Sequence, residues 1–373
     1  MQTSARRAGD SPPGLTVTSA GEEQRPPHDM TKQKVAVVGA SGYSGEELVR
    51  LLLSHPYVEL TAITSRQYAG KALGEVFRKF SHAATARQLR FTQPNAEQLA
   101  AQAGIVFLAL PHGVAAEYAA PLLEAGCRII DLSADFRVRS PAVYQEFYGQ
   151  EHPAPKLLDR AVYGLPEVYR SQIRDAVLIA SPGCYPTSIL VPVIPLLKAG
   201  VIEPANIIAD SLSGVSGAGR KVELDYLFVE CNESVRAYSV PKHRHLSEIE
   251  QELSFAANQP VLIQFTPHLI PVSRGILTTL YLSPRPGVDA ARLQRTYEEV
   301  YGSEPFVRLL GNGALPDTKN VAGTNVIEIS WRLDPRTGRL IVISAEDNLV
   351  KGASGQAVQS MNLMCGFPET AGL

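Results

Sequence analysis

Short apolar runs that end in polar or glycine-rich turns repeat along most of this chain. Five such runs in the first half predict buried strands, and they lie at residues 34–38, 58–63, 105–110, 128–132 and 176–180. Segments with helical periodicity follow the first and the third of these runs, at residues 46–53 and 114–123. Strands that alternate with helices predict an α/β fold built on a parallel sheet.

The second half of the chain has a different pattern. Apolar and polar positions alternate there and predict further strands, which lie at residues 263–268, 275–282, 326–331 and 340–344. Such alternation is typical of a mixed or antiparallel sheet. A sheet of this type packed beside the first one predicts a second, catalytic domain. A final helix is expected from residue 357 to about residue 364.

A glycine-rich turn, Gly-Ala-Ser-Gly-Tyr-Ser-Gly, joins the first predicted strand to the first predicted helix. In this context Gly39 allows a tight turn, Gly42 the close approach of a pyrophosphate, and Gly45 the packing of helix on strand. The spacing is GxxGxxG and not GxGxxG, so an ordinary loop is the alternative. The predicted dinucleotide-binding residues of this turn are Gly39, Ser41, Gly42, Tyr43, Ser44 and Gly45.

The end of the second strand indicates which dinucleotide binds. Proteins that bind NAD usually carry an acidic residue there, which contacts the ribose 2′-hydroxyl. This chain has Ser65 and Arg66 instead, a hydroxyl and a guanidinium that suit a 2′-phosphate. The prediction is therefore NADP(H), and the alternative is a pair of solvated polar residues.

Two further loops follow strand ends and are expected to face the ligand crevice, because the carboxyl ends of parallel strands lie at one edge. One contains Pro111, His112 and Gly113, which we assign to the cofactor. His112 has two alternatives, a catalytic role or a hydrogen bond to the backbone. The other loop contains Arg137, either a partner for a substrate carboxylate or one half of a structural ion pair.

Cys184 lies in the stretch Ser-Pro-Gly-Cys-Tyr-Pro-Thr-Ser, directly after the fifth strand. Pro186 suits the first turn of a helix, which places the cysteine at the helix start. Backbone N–H groups and the helix dipole there favour an anion and lower a thiol pKa to roughly 3.5–7.5. Cys184 is the predicted nucleophile, and an inert buried cysteine is the alternative. Pro192 and Pro195 predict that this helix is kinked or short.

A second glycine-rich segment follows, and it is either a nest for an oxyanion or phosphate or a flexible connector. Its predicted substrate-binding residues are Ser213, Gly214, Ser216, Gly217 and Arg220. Beyond it, His243, Arg244 and His245 form a cluster suited to proton transfer and anion binding. Ser247 and Glu250 have the spacing of a capping box, which predicts a helix starting at Ser247.

The composition narrows the function further. The chain has 373 residues, a net charge of −2 and no apolar run of membrane-spanning length, which argues against nucleic-acid and membrane partners. Its four widely spaced cysteines favour neither a metal site nor disulfides and indicate a reducing, cytoplasmic location. Residues 1–30 are predicted to be a disordered leader. The pair Arg6-Arg7 leaves a plastid transit peptide as an alternative, although this stretch is rich in acidic residues.

Eight segments together carry a resemblance to the N-acetyl-γ-glutamyl-phosphate reductase family, from about residue 32 to the end. They are GASGYSG at 39–45, FLALPHG at 107–113, DLSADFR at 131–137, SPGCYPTS at 181–188, SGVSGAGR at 213–220, PKHRHLSEI at 241–249, PVSRGILTT at 271–279 and DNLVKGASGQA at 347–357. The resemblance implies a Rossmann-type NADP-binding domain at 31–183, an inserted α+β catalytic and oligomerisation domain at 184–349, and a C-terminal helix at 350–373 that returns to the first domain. A homo-oligomer, commonly a tetramer, is also implied.

The resemblance further implies reduction of N-acetylglutamyl phosphate in arginine biosynthesis. Cys184 would form a thioester, His245 would transfer protons with His243 as the weaker candidate, and Arg244 would bind the substrate. Asn348 and Gly352 are assigned to the cofactor and Gln356 to the substrate. Two alternatives stay open: an acyl-phosphate reductase of lysine biosynthesis that takes its substrate from a carrier protein, and a non-catalytic NADP-binding redox sensor.

Overall fold

The computed structural model describes residues 31–220 and 222–373, so the expectation of a disordered leader at 1–30 lies outside the described residues. Within them the chain forms two β-sheets of seven strands each. The α/β class predicted from the alternation of strands and helices is confirmed. No helix in these two ranges is both long and apolar enough to cross a lipid bilayer.

The first sheet is parallel throughout. Its strands are β1 (Gln33–Val38), β2 (Val58–Thr64), β3 (Phe91–Thr92), β4 (Ile105–Leu108), β5 (Arg128–Asp131), β6 (Ala161–Tyr163) and β7 (Leu178–Ala180). They are ordered β3-β2-β1-β4-β5-β7-β6. The strand order therefore reverses between β1 and β4. The loops that follow these two strands lie side by side at this switch point, where open α/β sheets bind ligands.

Seven α-helices accompany this sheet within the described residues. They are α1 (Tyr43–Leu53), α2 (Leu73–Val76), α3 (Ala84–Gln88), α4 (Ala96–Gln102), α5 (Ala115–Glu124), α6 (Pro141–Tyr148) and α7 (Pro166–Asp175). Short 3₁₀ helices at Arg78–Phe80 and Pro155–Arg160 complete this half. Every residue of β4 is buried, as expected for a parallel strand covered on both faces.

The second sheet is mixed, as the alternating pattern predicted. Its strands are β8 (Ile207–Gly214), β9 (Arg236–Ala237), β10 (Ile263–Ile270), β11 (Ile276–Leu282), β12 (Val307–Gly311), β13 (Ile327–Leu333) and β14 (Leu340–Glu346). They are ordered β12-β13-β14-β11-β8-β10-β9. β8 pairs in parallel with β10 and antiparallel with β11.

Helices of the second half cover this sheet and return to the first. They are α8 (Cys184–Lys198), α9 (Phe228–Cys231), α10 (Leu246–Ala257), α11 (Ala290–Tyr301), α12 (Thr318–Val321) and α13 (Gly355–Cys365). The 3₁₀ helices Val215–Ala218 and Leu224–Tyr226 and the π-helix Val350–Ser354 lie between them. The predicted final helix is confirmed, and residues of α13 pack into the same apolar core as β1 and α1.

α8 carries two internal prolines and is nevertheless 15 residues long, so the expectation of a short helix was wrong. A proline removes the backbone donor for the carbonyl four residues earlier. The two carbonyls concerned belong to Ser188 and Val191, and each has found a side-chain donor. Ser344 Oγ donates to the first at 2.7 Å and the Tyr301 hydroxyl to the second at 2.6 Å. These donors allow α8 to run unbroken through the core.

Replacing Tyr301 by phenylalanine should destabilise the protein by about 1–3 kcal/mol, because the Val191 carbonyl would be buried without a donor. Tyr297→Phe is the matched control. Its hydroxyl bonds the Pro192 carbonyl, which also has a backbone donor four residues on, so the cost should be smaller. Equilibrium denaturation in urea measures both changes. Equal losses of unfolding free energy in the two variants would contradict the claim that the Tyr301 hydroxyl replaces the backbone N–H that Pro195 lacks.

Candidate active site

The glycine turn between β1 and α1 is built as the fingerprint requires. Gly39 has a φ of 82°, and a Cβ there would lie 2.3 Å from the Ala109 carbonyl oxygen. A Cβ on Gly45 would lie 2.3 Å from the Gly39 carbonyl oxygen. Only glycine fits at these two positions. On Gly42 the nearest atom to a Cβ would be 3.7 Å away, so the protein leaves this face of the turn open. The residues present therefore fit a pyrophosphate.

The end of β2 lies beside this turn. The hydroxyls of Ser41 and Ser65 are 2.9 Å apart, and the Thr64 hydroxyl accepts a bond from the Gly39 N–H. Arg66 follows and its side chain is exposed. The α1 N-terminus has no side-chain cap, so its first N–H groups are available to an anion.

The loop after β4 is held by one carboxylate. Asp135 accepts hydrogen bonds from the N–H groups of Gly113 at 2.6 Å and Ala116 at 3.0 Å. His112 in this loop contacts a residue of the second half of the chain. Arg244 Nη1 lies 3.1 Å from its Nδ1, which links this loop to the segment containing the two predicted catalytic histidines.

Arg137 forms the structural ion pair that was one of its two alternatives. Its Nε donates to the Ser181 carbonyl at 2.7 Å and its Nη2 to the Leu132 carbonyl at 2.9 Å. Its Nη1 pairs with Glu248 at 3.1 Å, and both side chains are buried. Arg137 thus fixes the loop that leads into Cys184, and its assignment to a substrate carboxylate stays a prediction.

Cys184 is the first residue of α8, as predicted. The backbone N–H of Tyr185 bonds to it and favours the thiolate, but burial outweighs this bond and Glu346 adds negative charge. Together they raise the pKa of the Cys184 thiol to about 12. The predicted lowering of this pKa was wrong, because a helix start lowers a thiol pKa only where competing charge and desolvation are small. The resting thiol is neutral and needs a base.

The second histidine of the cluster lies beside this cysteine. A Cβ on Gly183, the residue before Cys184, would be 2.6 Å from His245 Nε2. Burial, His243 and nearby arginines hold the pKa of His245 well below its usual range. Its imidazole is therefore neutral at pH 7 and able to accept a proton. His243 is also buried, which lowers its pKa to about 4, and its Nδ1 accepts a bond from the His245 N–H.

The helix after these histidines begins at Leu246 and not at Ser247, so the predicted capping box is corrected. The Ser247 hydroxyl donates to the Arg244 carbonyl at 2.7 Å, and Glu250 accepts from the Ile263 N–H. Neither side chain therefore caps the helix, and His245 itself occupies the N-cap position.

Glu248 joins the parts of this centre and was missed in the sequence. One carboxylate oxygen accepts from Arg137 and lies 4.0 Å from His245 Nε2. The other accepts from the Tyr163 hydroxyl at 2.8 Å and from the Gly183 N–H at 3.2 Å. The available signal was its position three residues after His245 at a helix start, where the two side chains share one face.

The second glycine-rich segment is ordered and not a flexible connector. Ser213 and Gly214 end β8, and a Cβ on Gly214 would lie 2.8 Å from the backbone nitrogen of Arg274. Asn348 donates to the Ser216 hydroxyl at 2.9 Å and accepts from the Gly275 N–H at 2.8 Å. Asn348 thus holds this glycine-rich segment against the Gly275 backbone. Whether it also contacts a cofactor stays a prediction.

A cavity of about 410 Å³ lies between the start of α1 and this loop. Its lining includes Tyr43, Ser216, Arg220 and Arg274. Arg220 pairs with Glu46 at 2.6 Å, and its guanidinium lies over the Tyr43 ring. Arg220 therefore lies on the α1 side of the cavity, and its assignment to the substrate stays a prediction.

Two predicted site residues near the C-terminus lie against α8. A Cβ on Gly352 would lie 2.7 Å from Cys184 Cβ, so this glycine contacts the predicted nucleophile. Gln356 is completely buried and donates to Thr187 at 2.9 Å, which joins α13 to α8. The assignments of Gly352 to the cofactor and of Gln356 to the substrate stay predictions. Gly217 lies against Ser213 and Asn348, as expected for its loop.

Within residues 31–220 and 222–373, no group of three or more histidine, cysteine or acidic side chains is arranged to hold a metal ion. The residues that the structure does bring together form two adjacent groups. Cys184, His245, Glu248 and Arg137 form one. The glycine turn at 39–45 with the end of β2 forms the other.

Two family models match the chain in succession. The one described as the NAD binding domain of semialdehyde dehydrogenase matches residues 34–176. The one described as the semialdehyde dehydrogenase dimerisation domain matches residues 184–348. The fold is also that of solved aspartate semialdehyde dehydrogenases. The enzyme II from Vibrio cholerae superposes with a TM-score of 0.68 at 20% identity over 90% of this chain and 99% of that one. The enzyme with NADP from Candida albicans gives 0.67 at 16% identity, over 90% and 99%.

Sequence relatives are much more similar. The N-acetyl-gamma-glutamyl-phosphate reductase of Akkermansia muciniphila is 58% identical over 92% of this chain and 99% of its own length. Those of Desulfotalea psychrophila and Moorella thermoacetica are 53% and 50% identical, each over 91% of this chain and 97% of their own. With this identity across nearly their full length, and with the two family models matched in succession, the chain belongs to the N-acetyl-γ-glutamyl-phosphate reductases of the semialdehyde dehydrogenase family.

Proposed function

We propose that this protein reduces N-acetyl-L-glutamyl 5-phosphate to N-acetyl-L-glutamate 5-semialdehyde and phosphate, with NADPH, as a step of arginine biosynthesis. The observation that carries the proposal is the pairing of Cys184 at a helix start with a neutral His245 against Gly183. The names of the relatives support the choice of substrate.

The first half of the reaction needs a nucleophile and a base. Because the Cys184 thiol is neutral at rest, its proton must leave as the sulfur attacks the acyl carbon, and His245 is the neutral base placed to receive it. Phosphate departs, and the acyl group stays on the sulfur as a thioester. The Tyr185 N–H at the helix start, which bonds to Cys184, stabilises negative charge as it develops.

The second half of the reaction releases the product. The dinucleotide, when bound at the glycine turn, supplies the two electrons that reduce the thioester. These electrons arrive as a hydride, which becomes the aldehyde hydrogen. The tetrahedral alkoxide then expels Cys184 as a thiolate, and the thiolate recovers its proton from His245. Glu248 keeps the imidazole and the Gly183 backbone in place throughout, because it lies against both. Asp135 does the same for the loop that carries His112 and Gly113.

The proposed cofactor is NADPH, held by Ser65 and Arg66 at the end of β2. Arg66→Ala should weaken NADPH binding by about 1 kcal/mol, roughly fivefold, because an exposed ion pair contributes little more. NADH binding should change much less, since NADH has no 2′-phosphate. Arg87→Ala removes another exposed arginine of the same half and is the matched control. Fluorescence titration with both cofactors measures the effect, and equal weakening of NADPH and NADH would show that Arg66 does not contact the phosphate.

We further propose that the domains divide near residues 183 and 349, that the protein acts as a homo-oligomer, commonly a tetramer, and that it is cytoplasmic. The matched dimerisation domain supports assembly, and the bacterial sources of the relatives support the location.

A coupled assay run in reverse tests the proposed function. Semialdehyde, NADP and phosphate should together give NADPH, and omission of phosphate should stop the reaction. Turnover with the free N-acetylated substrate distinguishes it from the route in which a carrier protein presents the acyl phosphate. Failure with every small acyl phosphate, combined with normal NADPH binding, would favour a redox sensor.

A further inference from the structure

A buried carboxyl group, that of Glu346, lies close to the predicted nucleophile. Glu346 is the last residue of β14, and alternate residues of this strand face α8. Ser344 bonds the Ser188 carbonyl of α8. Glu346 comes two residues after Ser344 on the strand, and Cys184 comes one helical turn before Ser188. The same strand face and helix face therefore bring Glu346 close to Cys184. The repeat distances of strand and helix therefore bring these two side chains together.

Gly352 measures how close they are. A Cβ on this glycine would lie 2.7 Å from Cys184 Cβ and 2.8 Å from Glu346 Oε1. The Cys184 and Glu346 side chains thus lie on either side of the position that a Cβ would occupy at residue 352. Any residue larger than glycine would collide with both. The absence of a side chain at position 352 keeps the thiol and the carboxyl in the same pocket.

The carboxyl group is not used elsewhere. Glu346 has 0% of its surface exposed, and within the described part of the chain both of its oxygens lack a hydrogen-bond partner. The cation that acts on it is Lys351, whose ammonium already bonds Glu167 at 2.6 Å and Gln359 at 2.9 Å. Buried carboxyl groups without partners are rare and costly. This one shares a pocket with Cys184, because a single Cβ on Gly352 would touch both side chains.

The charges around the two groups reinforce each other. Asp347 and Glu167 add negative charge around Glu346 and Lys351 offsets part of it, while burial raises the pKa of this carboxyl well above its usual range. Around Cys184, Glu346 and Glu248 oppose the thiolate and Arg137 favours it. Because the Cys184 thiol and the Glu346 carboxyl are close together and shielded from water, ionisation of one opposes ionisation of the other.

We propose that Glu346 is a positioning residue that controls the ionisation of Cys184: its neutral form permits the thiolate, and its ionised form suppresses it. The carboxyl and the thiol thereby compete for a single negative charge, and a charge change at Glu346 adjusts the reactivity of Cys184. The purpose of this control rests on the proposed function, but the coupling itself needs neither acyl phosphate nor NADPH.

Alkylation by iodoacetamide tests the coupling directly. The rate at Cys184, followed by mass spectrometry of its peptide between pH 7 and 10, is proportional to the thiolate fraction. Glu346→Gln should raise this rate by about tenfold or more at a given pH, equivalent to a shift of about one pH unit or more in the thiol. Alkylation of Cys231 and Cys365 in the same samples is the internal reference. An unchanged or slower rate at Cys184 would overturn the proposal.

Glu328→Gln is the matched control. Glu328 is also a buried glutamate of the second sheet, but it pairs with Arg308 and lies opposite Ala345, so it is on the other face from Glu346. It should leave alkylation of Cys184 unchanged. An acceleration equal to that of Glu346→Gln would overturn the proposal, because it would show a general effect of lost charge.

A second variant, Glu346→Leu, keeps the proposal testable if the Glu346→Gln protein folds poorly. The pKa of Glu346 in the folded protein is raised above its ordinary value of 4.5. Its contribution to the free energy of unfolding is therefore fully present below about pH 4.5, and it is lost as the pH rises through the folded-state pKa. Glu346→Leu removes this loss, so its gain in melting temperature should be larger at pH 8 than at pH 5. The same variant should also accelerate alkylation of Cys184. A gain independent of pH with no acceleration would overturn the proposal. Neither readout depends on turnover, so this test can fail or succeed separately from the proposed reaction.

Discussion

Cys184→Ser is expected to abolish acyl-phosphate reduction while NADPH binding stays close to wild type. The thiolate is a strong nucleophile, whereas a serine hydroxyl is weak without a dedicated activating system. The cysteine lies at the start of α8 and the glycine turn at the start of α1, so the substitution leaves the dinucleotide site intact. Steady-state kinetics should give less than about a hundredth of wild-type kcat. Fluorescence titration should give an unchanged Kd for NADPH.

Cys231→Ser is the control for this experiment. Cys231 ends the short helix α9, outside the cluster around α8, and is partly exposed. Its substitution should leave kcat within about twofold of wild type, because no part of the proposed chemistry uses it. Residual activity of Cys184→Ser above about a hundredth would contradict the covalent role of the cysteine.

His245→Asn is expected to have the next largest effect, a fall in kcat of about 10²–10⁴. The imidazole lies against Gly183 and is the neutral base nearest to the helix start. Because its pKa is held well below 6.5, the acidic limb of the wild-type kcat profile should lie below pH 6.5, and the variant should lose it. Kinetics between pH 5 and 9 measure this limb.

His243→Asn is the matched substitution two residues away. His243 packs against the Tyr185 ring and accepts a bond from the His245 backbone. With its pKa lowered to about 4, it carries no charge at pH 7 and shapes the turn that presents Arg244. Its loss should mainly raise KM for the acyl phosphate and preserve the limb. If His243→Asn loses the limb and His245→Asn keeps it, the two roles are reversed.

Features that depend on neighbouring residues were predictable from the sequence. The strand, glycine turn and helix at 33–53 required only apolar periodicity and the spacing of three glycines. The placement of Cys184 at a helix start required only Pro186 and the preceding turn. Even here the boundary at Ser247 was wrong, because its hydroxyl bonds the Arg244 carbonyl before the helix.

Features that depend on distant residues were not predictable. The pKa of Cys184 is raised partly by Glu346, which lies on another strand far along the chain. The sequence left Arg137 between a substrate carboxylate and an ion pair, and only the fold shows its contacts with Glu248 and the Ser181 carbonyl. The continuity of α8 depends on Ser344, which no local pattern connects to a proline in that helix. Short strands such as β3 and β9, at two residues each, had too little periodicity to detect.

The central claim is that the reaction proceeds through an acyl group on Cys184. Incubating the protein with N-acetylglutamyl phosphate in the absence of NADPH should stop the reaction at the thioester. Mass spectrometry of the intact protein and its peptides should then show one N-acetylglutamyl group, on the peptide containing Cys184, and its loss on addition of NADPH. A protein that turns over but carries no such group, or carries it on another residue, would contradict the account.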